Sequence, residues 1–387
     1  MHDKLAPAAL TFEQAGHFLD AAYMHPLSKD AGHAVEAYVR ARQENADQAV
    51  ALVSTARSSA IASFSRMHKC TPEALAFVPS TMAGENIVVN GLGIRPGHGR
   101  VVTDLGHFGG SLFMYHALRE RGADISLALP RSGETMLEAY ERAVRPGTTL
   151  VSVSAVSATT GAVHDLKALC DLAHQRGALV YADIVQAAGA MPLDLRESGV
   201  DFAACATYKW LMGDFGAGFF YARPESLGRL QRSQIGYRQL AEFGLRPVQS
   251  ENEKDEWPIS ASSKDDVGGR VEVGTQAHAA IVALGTSLPG LEKIGLDAIV
   301  NQRRVLLNRI AAELPSLGFD ALTNWHEQKT IAAYACVPEK IEHVRDALKR
   351  HNVRISVYAE RIRISPSVFN TSADIDALIA ALREGVK

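Results

Sequence analysis

Leu179-Val180-Tyr181-Ala182-Asp183-Ile184-Val185-Gln186 and Phe202-Ala203-Ala204-Cys205-Ala206-Thr207-Tyr208-Lys209-Trp210 are the two stretches whose reading decides the fold. Each begins as an apolar run too short for a core helix and without polar alternation. That is the signature of a strand buried on both faces, as parallel strands are. Each then ends on a single ionisable residue, Asp183 in one and Lys209 in the other.

Outward from these, Leu75 to Val78, Val101 to Thr103, Ile125 to Leu129, Thr149 to Ala155, Ala178 to Ala182 and Gly218 to Tyr221 repeat the same pattern. Helical patterns lie between them. Asp165 to Arg176 places Leu166, Leu169, Cys170 and Ala173 on one face, with Gly177 positioned to end the helix. The alternation predicts an α/β fold, a mostly parallel seven-stranded sheet with helices on both faces. From Leu291 a smaller α+β unit follows: strands at Thr330 to Val337, Val353 to Val357 and Arg361 to Ser365, and helices near 339–351 and 373–384. The organisation expected is an N-terminal segment over 1–30, a large domain over 31–290 and a small C-terminal domain over 291–387. Residues 232–270, including Glu251-Asn252-Glu253-Lys254-Asp255-Glu256, are polar and poor in pattern. They read as a long loop over a site or as a solvated excursion.

Composition narrows the function. With 47% apolar and 21% charged residues and a formal charge of −3 over 387 residues, this is an ordinary globular chain. No basic footprint for nucleic acid or anionic lipid stands out. The amino terminus lacks a basic segment leading into an apolar one, which disfavours secretion and membrane insertion. The four cysteines, Cys70, Cys170, Cys205 and Cys336, are scattered, so neither a zinc site nor a disulfide framework is indicated, and a cytoplasmic location is expected.

Four features fall at predicted strand ends, where open α/β sheets bind ligands. Pro79-Ser80-Thr81-Met82-Ala83-Gly84 leads from a strand into a helix and offers free N–H groups to a phosphate, although Ser and Thr are also ordinary N-caps. His107 follows the strand at Val101 and is either a plate against an aromatic cofactor or a loop histidine. Asp183, costly at the end of an apolar strand, calls for a cationic partner such as a protonated pyridine nitrogen; a helix cap is the alternative. Lys209, directly after a buried strand, should be desolvated and low in pKa, which suits imine formation.

In the order phosphate loop, histidine, Asp-x-x-Gln, lysine, the chain resembles the fold-type I enzymes dependent on pyridoxal 5′-phosphate (PLP) of the class-V aminotransferase and cysteine desulfurase superfamily. It is similar in particular to kynureninase and isopenicillin-N-epimerase-like members. The resemblance runs from Phe18-Leu19-Asp20-Ala21-Ala22 to Asn370-Thr371, and its most specific part is Asp183-x-x-Gln186 with Thr207-Tyr208-Lys209. It implies that Lys209 carries the cofactor and moves the proton at the substrate Cα. Asp183 would meet the pyridine nitrogen, Gln186 the ring hydroxyl and His107 the ring face, while Thr81, Met82 and Tyr208 hold the phosphate. Gly274-Thr275 would reach the phosphate of a neighbouring subunit, implying a homodimer. Arg363 would clamp the carboxylate of a small amino-acid substrate, with Arg361 on the same strand face as the lesser candidate.

Two departures bear on the reaction. The segment His351 to Glu360, where the desulfurases carry a nucleophilic cysteine, has none, and Ala158 stands where they place an asparagine. The reading that follows is a side-chain-cleaving or C–S lyase that uses no catalytic cysteine. A class-V aminotransferase, an amino-acid epimerase and a non-catalytic PLP-binding regulatory homologue are the alternatives.

Overall fold

The computed structural model describes residues 10–246, 257–323, 326 and 329–387. The Glu251–Glu256 run and the first nine residues lie outside the described part. A short strand β1 (His17–Phe18) precedes the large domain, whose strands are β2 (Leu75–Val78), β3 (Arg100–Thr103), β4 (Asp124–Leu127), β5 (Leu150–Ser154), β6 (Leu179–Asp183), β7 (Phe202–Ala206) and β8 (Gly218–Ala222). These last seven form one sheet in the order β2-β8-β7-β6-β5-β3-β4. β3, β4, β5, β6 and β7 run parallel, and β8 is antiparallel to both β7 and β2.

Strand alternation sends side chains into two cores on opposite faces. Val180, Ala182, Ala203 and Cys205 join one, which is roofed by helices Ala46–Met67 and His278–Ile294. Leu179, Tyr181, Phe202 and Ala204 join the other with helix Thr81–Gly91. The strands therefore read as continuous apolar runs, because neither face meets water. β4 departs from that expectation. As the edge strand it exposes Asp124 and Leu127, and it ends at Leu127 rather than Leu129. Helix Leu166–Gln175 is capped by Asp165, buries Leu166, Leu169, Cys170 and Ala173, and is followed by Gly177 at φ +78°.

The stretch 232–270 is not a plain loop. Its described part holds an antiparallel pair, β9 (Leu240–Leu245) and β10 (Ile259–Ser263), and a short helix, Val267–Val271. The pair is largely exposed, so no buried face imposes the alternation by which a strand is recognised in sequence.

The small domain has its own core, built from Leu306, Phe319, Ile341, Val344, Ile362, Ile375 and neighbours. Its strands are β11 (Asp320–Ala321), β12 (Ala332–Ala335), β13 (Val353–Arg354), β14 (Ser356–Val357) and β15 (Arg361–Ile364), and four of them form a sheet in the order β11-β12-β15-β14. The expected single strand Val353 to Val357 is thus two. β13 pairs with β1 in parallel, while β14 pairs with β15. The N-terminal segment accordingly belongs with the small domain: Leu19 lies in its core and Asp20 bridges to Ser365. The boundary near 291 is also less sharp than expected. Helix Leu296–Glu313 gives Ile299 to the large core and Leu306 and Leu307 to the small one. Among the described residues no single helix is long and apolar enough to cross a membrane.

Gly189 ties the β6 exit to the β7 exit. It sits at φ +79°, and a Cβ there would lie 2.6 Å from the Trp210 carbonyl oxygen. Gly189→Ala therefore combines left-handed strain with a backbone clash, and should cost about 2 kcal/mol or more in chemical denaturation while loosening the Lys209 turn. An unchanged denaturation midpoint would show that the two exits are not coupled.

Candidate active site

The C-terminal ends of β3, β5, β6 and β7 converge where the sheet order reverses, with β4 on one side of β3 and β5 on the other. β7 delivers Lys209. At the end of that strand the Ala206 N–H donates to Thr81 Oγ1 at 2.9 Å, and the turn beyond it closes through Met212 N–H to the Lys209 carbonyl (2.8 Å) and Gly213 N–H to the Thr207 carbonyl (2.9 Å). The Lys209 side chain is buried, and burial drives its amine down to about 8, with Asp183 partly holding it up and Arg363 lowering it further.

Asp183, last residue of β6, accepts from Val185 N–H at 2.9 Å. Burial raises its carboxyl to about 6, against the opposing pull of His107, that N–H and Lys209. A carboxylate whose pKa burial still holds up despite His107 and Lys209 favours a further cation in direct contact, and a protonated pyridine nitrogen would be one. Beside it Gln186 does more than face a ligand. Its Oε1 accepts from Trp210 Nε1 at 2.8 Å and its Nε2 donates to the Ala22 carbonyl at 3.0 Å, so only the second amide hydrogen remains for a ring hydroxyl.

Helix Thr81–Gly91 starts after Ser80, whose side chain caps Ala83 N–H at 3.1 Å. Thr81 and Met82 are in its first turn, where N–H groups have no intrahelical acceptor. The Thr81 hydroxyl already accepts from Ala206, leaving its proton to donate to a phosphate. The Tyr208 ring stacks on Phe215, with centroids 4.3 Å apart and planes inclined by 18°, and Lys209 Nζ lies 5.7 Å from its centre. Thr275 is exposed at a cavity of about 400 Å³ that Pro79, Ala83, Gly216 and Gln234 also line, and its hydroxyl is 3.5 Å from that of Tyr237.

His107 is held from both sides. Its Nδ1 is 2.8 Å from Ser154 Oγ, and its Nε2 is 3.0 Å from Glu85 Oε1 and 3.1 Å from Ser152 Oγ. Burial opposes the imidazolium, yet Glu85, Asp183 and Asp104 together raise it above its ordinary 6.5. The small domain brings Arg363, buried on β15. Its Nη1 donates to the Ala158 carbonyl at 2.9 Å and its Nη2 to Ser356 Oγ at 3.0 Å, with Asp20 Oδ1 at 3.6 Å. Arg361 lies half-buried over the Tyr358 ring instead, 4.1 Å from its centre. Asp20, Ser356 and Glu85 were not singled out as site residues from the sequence. The available signal was their charge or polarity inside apolar surroundings, Phe18-Leu19-Asp20-Ala21-Ala22 above all.

All four thiols are held from ionising by burial. Cys70 is pushed up to about 12, and Cys170, Cys205 and Cys336 are raised as well. Cys336 lies in the small-domain core. Among the described residues no cluster of His, Cys, Asp and Glu could hold a metal ion.

A low-pKa buried lysine close to a carboxylate raised by burial, beside a helix start with free N–H groups, is the arrangement of a PLP-dependent enzyme of fold type I. The chain matches the family Aminotransferase class-V over residues 31–378, and it belongs to that family. A probable cysteine desulfurase of Methanothermobacter thermautotrophicus is 29% identical over 244 residues, which cover 63% of this chain and 57% of that protein. One from Halalkalibacterium halodurans is 25% identical over 344 residues, 82% of this chain and 79% of that protein. Among solved structures, the cysteine desulfurase of Thermococcus onnurineus NA1 superposes with a TM-score of 0.78 at 20% identity, covering 95% of this chain and 94% of that one. The cystine C–S lyase C-DES, in complex with its product cysteine persulfide, superposes with a TM-score of 0.80 at 19% identity, covering 95% and 97%. These structures share the fold.

The lowered pKa of Lys209 carries a stability cost with a definite sign. Because its folded-state value lies below the ordinary 10.5, the cost is absent above pH 10.5, grows as pH falls to about 8 and is constant below that. Lys209→Met should therefore make the cofactor-free protein more stable at pH 7 by ~2–3 kcal/mol, and the variant supplied with PLP should lack the absorption of the lysine-bound cofactor. Denaturation at pH 7 and pH 11 checks this; a gain of equal size at both pH values would rule out desolvation of the amine as its cause.

Proposed function

We propose that the enzyme cleaves the side chain of a small amino acid, as a C–S lyase, without a protein thiol. The observation that carries this reading is the tight turn between β14 and β15, closed by Tyr358 N–H to the Arg361 carbonyl at 2.8 Å, which brings Ser356 against Arg363 and holds no cysteine. The unfavourable thiol ionisation at all four cysteines supports it, and so does the C–S chemistry named for several relatives.

PLP, when bound, supplies an electron sink for the negative charge that develops at Cα. The residues of this chain do the rest. Asp183 would hold the pyridine nitrogen, the first turn at Thr81 and Met82 would hold the phosphate with Tyr208, and His107 would lie on the ring's side of the site. Lys209, with an amine poised near neutral pH, takes the proton from the substrate Cα and passes it to the departing sulfur as the Cβ–S bond breaks, which leaves no proton unaccounted for. Arg363 fixes the substrate carboxylate by two parallel hydrogen bonds, which orients the Cα bond to be broken.

The protein acts as a homodimer in this reading. Thr275 is exposed beside Tyr237, and exposed Phe108, Phe215 and Ile235 flank the site elements, which leaves them open to a second copy of the chain.

Replacing all four cysteines by Ala or Ser should leave turnover of the preferred amino acid largely intact. Arg363→Ala should leave the absorption of the bound cofactor unchanged and lower kcat/KM by roughly 30- to 1,000-fold, as loss of a buried charge pair costs ~2–4 kcal/mol. Arg363→Lys should recover little, since an ammonium lacks the planar fork. Steady-state kinetics over a screen of amino acids decides; a folded but inactive cysteine-free enzyme would refute the thiol-free reading. Thr275→Ala should weaken PLP retention, and light scattering that finds a monomer with full PLP occupancy would refute the shared site.

A further inference from the structure

Glu85 is fully buried in the middle of a helix with no other charged residue, and among the described residues it is the only carboxylate paired directly with His107. Four groups converge on it. Oε1 lies 3.0 Å from His107 Nε2, 2.8 Å from Ser152 Oγ and 2.9 Å from Tyr115 Oη, while Oε2 lies 2.5 Å from Ser111 Oγ. Each of these four can donate, and an ionised carboxylate is acceptor-only, so the arrangement is satisfied in full when Glu85 is charged and His107 Nε2 carries a proton. Across the ring, Ser154 Oγ at 2.8 Å either accepts from Nδ1 or donates to it, and the same oxygen accepts from Phe108 N–H at 3.2 Å. With Ser154 accepting, the histidine donates from both nitrogens as an imidazolium, the form that the charges of Glu85, Asp183 and Asp104 favour against burial.

The charges around it alternate in sign. Glu85 faces His107 from helix Thr81–Gly91, Asp104 faces it from its own loop, and Asp183 from β6; Tyr115 and Tyr181 are also packed on the pair, His164 and Tyr140 hold Asp104 from behind, and Lys209 acts on Asp183. Of the charges acting on Asp183, that of His107 is the largest and favours the ionised form, whereas Glu85, more remote, opposes it weakly. Glu85 can thus act on Asp183 in two opposite ways, directly as a like charge and indirectly by keeping His107 charged.

We propose that Glu85 is a positioning residue for the cofactor site: it keeps His107 seated as an imidazolium and, through it, keeps Asp183 ionised toward the pyridine nitrogen. This rests on the PLP assignment but not on the reaction proposed above, and its test involves no substrate.

The test is a pH titration by NMR of the full-length protein freed of cofactor, with ring-¹⁵N histidine and carboxyl-¹³C aspartate, the His107 and Asp183 signals being assigned by their loss in His107→Gln and Asp183→Asn. In the wild type, His107 should remain doubly protonated at pH 7. In Glu85→Gln its midpoint should fall by at least one pH unit, a tenfold loss of proton affinity, and the midpoint of Asp183 should rise. Glu85→Asp, which keeps the charge, should restore most of both. In a His107→Gln background, Glu85→Gln should shift Asp183 the other way, downward, because only the direct repulsion is left to remove. A neutral His107 in the wild type at pH 7 would overturn the proposal without any variant. So would unchanged midpoints in a folded Glu85→Gln protein, or a shift of Asp183 with the same sign in both backgrounds, which is what a packing role would produce.

Discussion

An amine and a carboxylate, both stripped of water at adjacent strand ends, are the constraint on which the rest of this structure depends. Neither Lys209 nor Asp183 is comfortable. One is held well below its ordinary pKa and the other above it. A protein tolerates such a pair only where the surroundings are rigid enough to prevent either group from swinging out to solvent. The two-faced sheet supplies that rigidity. Continuous apolar strands lock the β6 and β7 exits in register, and Thr81, Gly189, Gln186 and Trp210 tie the exits to one another and to the helix beside them.

The second domain adds what the sheet cannot. A large cation at a strand end needs partners beyond a pyridine ring, and Arg363 finds them in the Ala158 carbonyl, the Ser356 hydroxyl and Asp20. Its orientation is set from three parts of the chain. A buried guanidinium at Arg303, lying over Trp210 and donating to the carbonyls of Ala190 and Pro366, fastens the same two domains behind the site. Lysine and arginine are thus presented from different domains at a spacing controlled by packing on both sides.

Much of this was legible in the sequence, for a physical reason. Strands buried on both faces leave an uninterrupted apolar record, so six of the seven central strands were visible within about a residue at each end, and the ionisable residues that broke the record marked the site. β4 and the β9–β10 pair were misread because exposure erases that record. The division of Val353 to Val357 into two strands serving different sheets depends on long-range pairing with His17–Phe18, which no local pattern encodes. The sequence sets Gln186 three residues beyond Asp183, but its engagement with Ala22 and Trp210 comes from tertiary contacts, and Glu85 was hidden because a lone charge in a helix looks like any solvated position until the helix is packed.

Asp20 bears on how a substrate arrives. Its carboxylate stands beside Arg363 and shares the Ser356 hydroxyl with it, so the guanidinium is never a bare cation waiting in a pocket. In the reaction proposed for it, docking of a ligand carboxylate at Arg363 would be an exchange of one anion for another around a fixed charge. The free energy released is the difference between two similar pairings rather than the whole of either. A simple carboxylate would gain little from such a swap, and discrimination would shift to whatever else the incoming molecule offers, its amino group above all.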